Sequence, residues 1–401
     1  MSKEVFPEKR FPEFVNEEGW AEERLSMFLQ FQTGFPFSSS EFNEAGDGLR
    51  LIKNRDLKSD DKPVFFSGVF DQNYIVKNGD ILIGMDGDFT PIEWQKGNAL
   101  LNQRVGRIKT FDAAEKKFFH YYLAIQLKLI EEKTARTTVK HLSHSDVENV
   151  SNPIPKNPKE RQKIADCLSS LDDVITAQTQ KLELLKAHKK GLMQDLFPAD
   201  GESVPRLRFG EFEGEWEEKK LRDVCNLNPS AGYLPDEFIY IDLESVENGF
   251  LLKRNLIPRD GAPSRAQRLL KNKDIIFQTV RPYQKNNLYF AMEDGRSYVA
   301  STGYAQLRAY ESEKFLFQYI HTDRFVDKVL EKCTGSNYPA INSSALAEIQ
   351  VKIPSNIAEQ QKIADCLSSL DDQIQAQTQK IESLKLHKKG LMQQLFPNPN
   401  P

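Results

Sequence analysis

The sequence predicts an α+β protein with an internal pseudo-two-fold repeat: two globular mixed α/β regions separated by two long helices that pair as an intramolecular coiled coil. Two observations carry this. The stretch Gln162 to Pro198 returns as Gln361 to Pro397 at an offset of 199, with about 31 of 37 positions identical, well beyond what two amphipathic helices share by composition. The segment RFPEFVNEEGWAEERLSMFL from Arg10 has a counterpart in RFGEFEGEWEEKKLRDVCNL from Arg208, so the duplication covers the start of each half as well as its end.

Each repeat therefore reads as an entry motif, a globular region and a long helix. The bounds are 1–155 for the first globular domain, 156–198 for the first helix, 199–354 for the second domain, 355–397 for the second helix and 398–401 for a tail. A chain of 401 residues has room for such domains, each with its own core. From Phe31 to Lys109, short apolar runs separated by glycine and turn residues predict strands, and Lys116 to Ala135 has helical spacing. Pro153 and Pro155 suit the exit to the helix. In the second half NKDIIFQTVRPYQKNNLYFA, from Asn272, takes the place of NGDILIGMDGDF, and KFLFQYIHTDRFVDKVLEK is again helical.

Both long helices have start signals. Asn157 and Asn356 stand as N-caps with Glu160 and Glu359 three residues on, the spacing of a capping box. Core positions then recur in 4-3 steps. Ile164, Leu168, Leu171, Ile175, Leu182 and Leu185 are matched by Ile363, Leu367, Leu370, Ile374, Ile381 and Leu384, with Gln178, Lys189, Gln377 and Lys388 as polar members. A 3.5-residue repeat of this length predicts a coiled-coil seam. An in-register parallel pair sets Gln178 beside Gln377 and Lys189 beside Lys388; the polar layers do not favour antiparallel packing, and the heptads alone leave the direction open.

The composition excludes several classes. The mean hydropathy is −0.55, with no run of eighteen apolar residues and no apolar N-terminal core, so a cytoplasmic protein without a membrane span is expected. Four cysteines are too few for a disulfide framework; Cys167 and Cys366 read as buried thiols. His141, His144 and Asp146 make a poor metal set, and no metal site is expected. The net charge of −4 argues weakly against nucleic acid, but Lys253 to Lys285 holds nine basic residues against two acidic ones, a local excess of +7 that predicts a basic face. Methyltransferase, nuclease and Walker motifs are absent, so no catalysis of its own is expected.

The repeated EQQKIADCLSSLDDQI and HKKGLMQQLFP helices resemble the specificity subunits of type I restriction-modification systems, as do NGDILIGMDGDF and ALLNQRVG in the first domain and KDIIFQTVRPYQKN, STGYAQLRA and GSNYPAINSSAL in the second. The resemblance covers essentially the whole chain. It implies a subunit that binds double-stranded DNA at a split sequence, one target-recognition domain per half, with the helices as an antiparallel coiled coil. It also implies two modification (methyltransferase) subunits docked on the helices, and restriction (translocase and nuclease) subunits joining them. S-adenosylmethionine, ATP and Mg are then expected on the partners and no cofactor on this chain.

Reading bases needs donors and acceptors at strand ends and loops, with cations for phosphates. In the second domain the candidates are Arg281, Tyr283, Lys285, Asn286 and Asn287, then Thr302 and Tyr304 in STGY, and Ser336, Asn337 and Tyr338 in GSNYPAIN. In the first domain they are Phe35, Phe37, Ser38, Met85, Asp86, Gln103 and Arg104, with Arg136 and Lys140 toward the backbone; Asp88 reads as a turn-former. The competing class is a coiled-coil scaffold that does not bind DNA.

Overall fold

The computed structural model describes residues 5–134, 141–247, 249–335 and 337–397. The chain divides into two compact units. Unit 1 holds the chain up to Thr179 and again from Lys380 onward; unit 2 holds Gln180–Gln379. Each unit thus owns the first half of one long helix and the second half of the other.

The two units have the same plan. In unit 1 a four-stranded antiparallel sheet has the order Leu29–Thr33, Val105–Thr110, Ile81–Gly84, Ile92–Glu93. A second sheet pairs Leu49–Ile52 in parallel with Ala99–Leu101, with antiparallel strands on both sides. Unit 2 repeats this as Cys225–Leu227, Tyr304–Ala309, Ile275–Gln278, Leu288–Tyr289, beside a sheet in which Glu237–Ile241 runs parallel to Tyr298–Ser301. The apolar strand ILIG is buried along its whole length, as is IIFQ in unit 2, because both lie inside their sheets. The second sheet has five strands in unit 1 and four in unit 2, and the helix that follows differs as well. The helix of unit 1 is continuous over Lys116–Thr134, whereas in unit 2 it breaks into Glu313–Tyr319 and Asp323–Glu331, because Thr322 caps a new start by accepting from the Phe325 N–H.

The long helices span Pro158–Asp195 and Ile357–Leu395. Asn157 and Asn356 cap them, their side chains accepting from Lys159 N–H and Ala358 N–H at 2.9 Å. Glu160 and Glu359 do not complete capping boxes. Each is 1% exposed and binds the entry motif instead: Arg10 reaches Glu160 with Nε and Nη2 at 2.7 Å and Trp20 donates Nε1–H at 3.2 Å, while Arg208 and Trp216 hold Glu359 at 2.8 and 3.2 Å. A buried carboxylate needs charged partners, and the guanidinium fork supplies two parallel donors. This ties the repeated RF-PEF and RF-GEF segments to the repeated helices.

Along both helices the 4-3 positions are buried or half-buried and their neighbours are mostly exposed, including Ile164, Leu168, Leu171, Ile175, Leu182, Leu185 and their second-copy counterparts. In unit 1 Ile164, Ala165 and Leu168 share a core with Leu395 and Phe396, and Phe396 sits edge-on to Trp20. In unit 2 Ile363, Ala364 and Leu367 share one with Leu196 and Phe197, and Phe197 sits edge-on to Trp216. Each seam lysine is taken up by a carboxylate of its own unit. Lys388 Nζ lies 2.6 Å from Asp172, which also accepts from Tyr121 Oη at 2.6 Å, and Lys189 Nζ lies 2.5 Å from Asp371, which accepts from Gln318 at 2.7 Å. The partners of the two seam lysines are thus the SLDD carboxylates.

No helix among the described residues is long and apolar enough to cross a membrane, and the described residues hold no cluster of metal-ligating side chains. Cys167 and Cys366 are half-buried rather than buried.

Candidate nucleic-acid interface

In each unit three chain segments meet at the end of the central ILIG or IIFQ strand. In unit 1 the Met85 N–H donates to Arg104 O at 3.0 Å and Leu142 N–H donates to Met85 O at 2.8 Å, while Asp86 bridges His141. In unit 2 Thr279 N–H donates to Gly303 O at 3.0 Å and Ile341 N–H to Thr279 O at 3.0 Å, while Val280 bridges Ala340. The frame is one and the same; the side chains on it differ at every position. A rigid scaffold presenting variable loop residues is how binding specificity is carried on other folds.

Unit 1 offers a polar cluster there. Asp86 accepts from Asn54 through its carbonyl at 2.8 Å, and its carboxylate faces His141 Nδ1 at 2.8 Å and Arg104 Nη1 at 3.4 Å. Gln103 and Arg104 are exposed at the tip of the adjoining turn, whose backbone pairs with Phe35. Gly34 is required at that approach, since a Cβ there meets Asn102 O at 2.1 Å. Phe35 is 43% exposed on a platform with Tyr74 and Phe37, and Ser38 is exposed beside it. Phe37 is buried against Phe66 and Met85 is a core residue, so these two support the surface rather than present groups to it. Asp88 is a turn-former: Lys58 and Thr90 hold its carboxyl at about 2. His141, read from sequence only as a poor metal ligand, is the residue the pattern missed, because its pairing with Asp86 spans 55 positions. Arg136 and Lys140 lie outside the described residues.

In unit 2 Arg281 and Tyr338 face each other, with the guanidinium carbon 4.2 Å from the ring centroid. Arg281 N–H donates to Pro339 O at 2.7 Å, fixing the loop to the strand end. Tyr283, Asn337 and Tyr338 are exposed, and Thr302 is half-buried with its N–H on Arg265 O. Several predicted readers are turned inward. Tyr304 is fully buried and donates its hydroxyl to Asp242 O at 3.2 Å. Asn287 is 1% exposed, accepting from Gln278 N–H and facing His321 Nε2. Asn286 is half-buried, its N–H on Gln278 Oε1 at 3.2 Å. Lys285 donates to His321 O at 2.8 Å and pairs with Asp323 at 2.6 Å. Ser336 lies outside the described residues.

The predicted basic face is weaker than its +7 count. Lys253, Arg254, Arg259, Lys273 and Lys285 pair with Glu244, Asp294, Asp236, Glu313 and Asp323. Among the described residues Arg265, Arg268, Lys271 and Arg281 form no ion pair, and exposed Arg265 adjoins the junction through Thr302.

Two stretches of the chain, residues 17–187 and 213–386, match the family described as the type I restriction modification DNA specificity domain. The specificity subunit of the type I restriction enzyme EcoBI from Escherichia coli is 32% identical over 180 residues, covering 44% of this chain and 38% of that subunit. The MjaVIII specificity subunit of Methanocaldococcus jannaschii is 23% identical over 94% of this chain and 92% of its own length. In fold, the chain is similar to the crystal structure of the type I restriction-modification S subunit from M. genitalium, with a TM-score of 0.64 at 17% identity, over 98% of this chain and 100% of that one. The duplicated frame, the duplicated helices and the duplicated match agree: the chain belongs to the type I restriction-modification DNA specificity family.

Proposed function

We propose that each unit reads one half of a bipartite DNA sequence through its three-segment junction, and that the long helices pair as an antiparallel coiled coil that fixes the separation of the halves and docks two modification subunits. One observation carries this reading: near-identity of the helices stands beside junctions that share a backbone and no side chain. Identical helices suit identical partners, and different junctions suit two different half-sites. The Asp172–Lys388 and Asp371–Lys189 pairs support the antiparallel direction, each setting the first half of one helix against the second half of the other. Linking two readers rigidly makes the second contact intramolecular, so the combined affinity exceeds either alone.

On this reading the chain has no catalytic site. S-adenosylmethionine, ATP and Mg belong to modification and restriction partners in the cytoplasm. The test is to map methylated adenines in host DNA, with the chain expressed beside its modification subunits, before and after exchange of the unit 2 globular region. One half of the motif is expected to change and the other to stay. A protein with no salt-sensitive DNA affinity, alone or with those subunits, is the scaffold alternative instead.

A further inference from the structure

The residue after the junction bridge has a left-handed backbone in both units. In unit 1 it is Gly87, at φ +85°; in unit 2 it is Arg281, at φ +53°. The frame therefore demands positive φ at this place. Glycine meets that demand without strain, whereas a residue with a Cβ is strained there. Arginine at this position needs a reason beyond the backbone, and its surroundings are specific.

The guanidinium lies on the Tyr338 ring, which fixes its plane. Its Nε is buried without a hydrogen-bond partner, and no side chain among the described residues accepts from the group. The Lys285 side chain, four residues on, is by contrast taken up by His321 and Asp323. A phosphate contact needs only a cation on a flexible stem, for which neither a fixed plane nor a strained backbone is required. A fixed plane of donors with no acceptor suits two adjacent acceptors in the same plane. In the major groove only guanine offers these, as O6 and N7, because adenine sets a donor beside its N7.

We propose that Arg281, laid on Tyr338, is the guanine-reading element of unit 2, an inference that rests on the proposed division of the DNA site between the units. Unit 1 has no side chain at this place, so its half-site is read by other groups, among them the Asp86, Arg104 and His141 cluster.

The experiment maps adenine methylation by the full complex carrying Arg281→Gly or Arg281→Lys. The glycine variant matches the residue that unit 1 tolerates and relieves the backbone, so its melting temperature should equal or exceed that of the parent. One guanine position, in one half of the motif only, is expected to become degenerate, with discrimination falling on the order of 10-fold. DNA carrying 7-deazaguanine at that position should weaken binding of the parent complex and not of Arg281→Gly. An unchanged motif with uniformly weaker binding makes Arg281 a phosphate contact, and an unchanged motif with a lower melting temperature makes it structural; either overturns the proposal. A parent complex that yields no bipartite motif overturns the underlying reading instead.

Discussion

The clamp at the start of each long helix and the junction at the end of each central strand teach opposite lessons. Arg10, Trp20 and Glu160 superpose in kind and distance on Arg208, Trp216 and Glu359: 2.7 and 3.2 Å in unit 1, 2.8 and 3.2 Å in unit 2. At the junctions the backbone hydrogen bonds repeat equally well, but Asp86 is replaced by Val280, Gly87 by Arg281 and His141 by Ala340. At the clamp both copies keep the side chains that hold the helix start. At the junction the backbone is kept and the side chains diverge.

The clamp gives the largest expected effect. Glu160→Ala leaves the Trp20 N–H without its acceptor and Arg10, still held by the Glu17 and Glu18 carbonyls, without its counter-charge, and loss of one partner of a buried pair costs about 3–5 kcal/mol. Glu359→Ala should cost the same within about 1 kcal/mol, as both environments are alike. Urea unfolding of the two variants checks this. A large cost in one unit and none in the other breaks the claimed equivalence.

Acid should weaken both units through one histidine each. Burial pushes His120 and His321 down from 6.5 to about 4, with nearby Lys388 and Lys189 adding to the effect. The Asn287 amide faces His321 Nε2 at 3.3 Å and favours the neutral ring, while the Nδ1 contact with Phe317 O at 2.6 Å opposes the shift that burial imposes. Because the folded-state values lie below the unfolded one, the unfolded chain binds the extra protons. The contribution is whole above pH 6.5 and is lost as pH falls toward 4. Each histidine accounts for about 2–3 kcal/mol of that loss. Stability measured between pH 7 and 4.5 should fall less steeply in His120→Gln and in His321→Gln, and an unaltered slope in either rejects its role.

The duplication, the helices with their 4-3 seam and most strands were legible in the sequence, because periodicity and repetition are local signals. Partnership across the chain was not. The basic run from Lys253 loses most of its force to Glu244, Asp294, Asp236 and Glu313, all of which lie outside it in sequence. The partners of Lys189 and Lys388 are hidden from the sequence for the same reason, since their carboxylates stand half a helix away on the other copy. Tyr304 opens a strand just after a turn that reads as surface and Asn287 lies in a loop, yet the parallel strand pair packs on the one and His321 on the other.

A volume exchange tests the shared frame more gently. Phe31 pairs with Ile108 in unit 1 and Leu227 with Leu307 in unit 2, so the neighbouring Gly106 corresponds to Ala305. A Cβ on Gly106 meets the Phe31 ring at 1.9 Å. Gly106→Ala should cost about 1–3 kcal/mol by overpacking. Adding Phe31→Leu, the unit 2 pairing, should recover most of it, giving a coupling of about 1 kcal/mol or more in a double-mutant cycle. Additive costs reject the equivalence of the two sheets.

Lys285 gives the smallest effect and the sharpest division between frame and reader. Its side chain is 30% exposed, with the ammonium tied to Asp323 and the His321 carbonyl. Lys285→Ala should therefore cost about 0.5–1 kcal/mol of stability, the range for a partly exposed pair. It should leave the methylated motif intact and the salt dependence of DNA binding unchanged. A lysine that instead neutralises a phosphate takes about one unit off the slope of log affinity against log salt when it is removed. That slope, measured beside Arg281→Gly, separates the two adjacent cations: a drop for Lys285→Ala places the ammonium on DNA and moves the boundary of the reading surface four residues past Arg281.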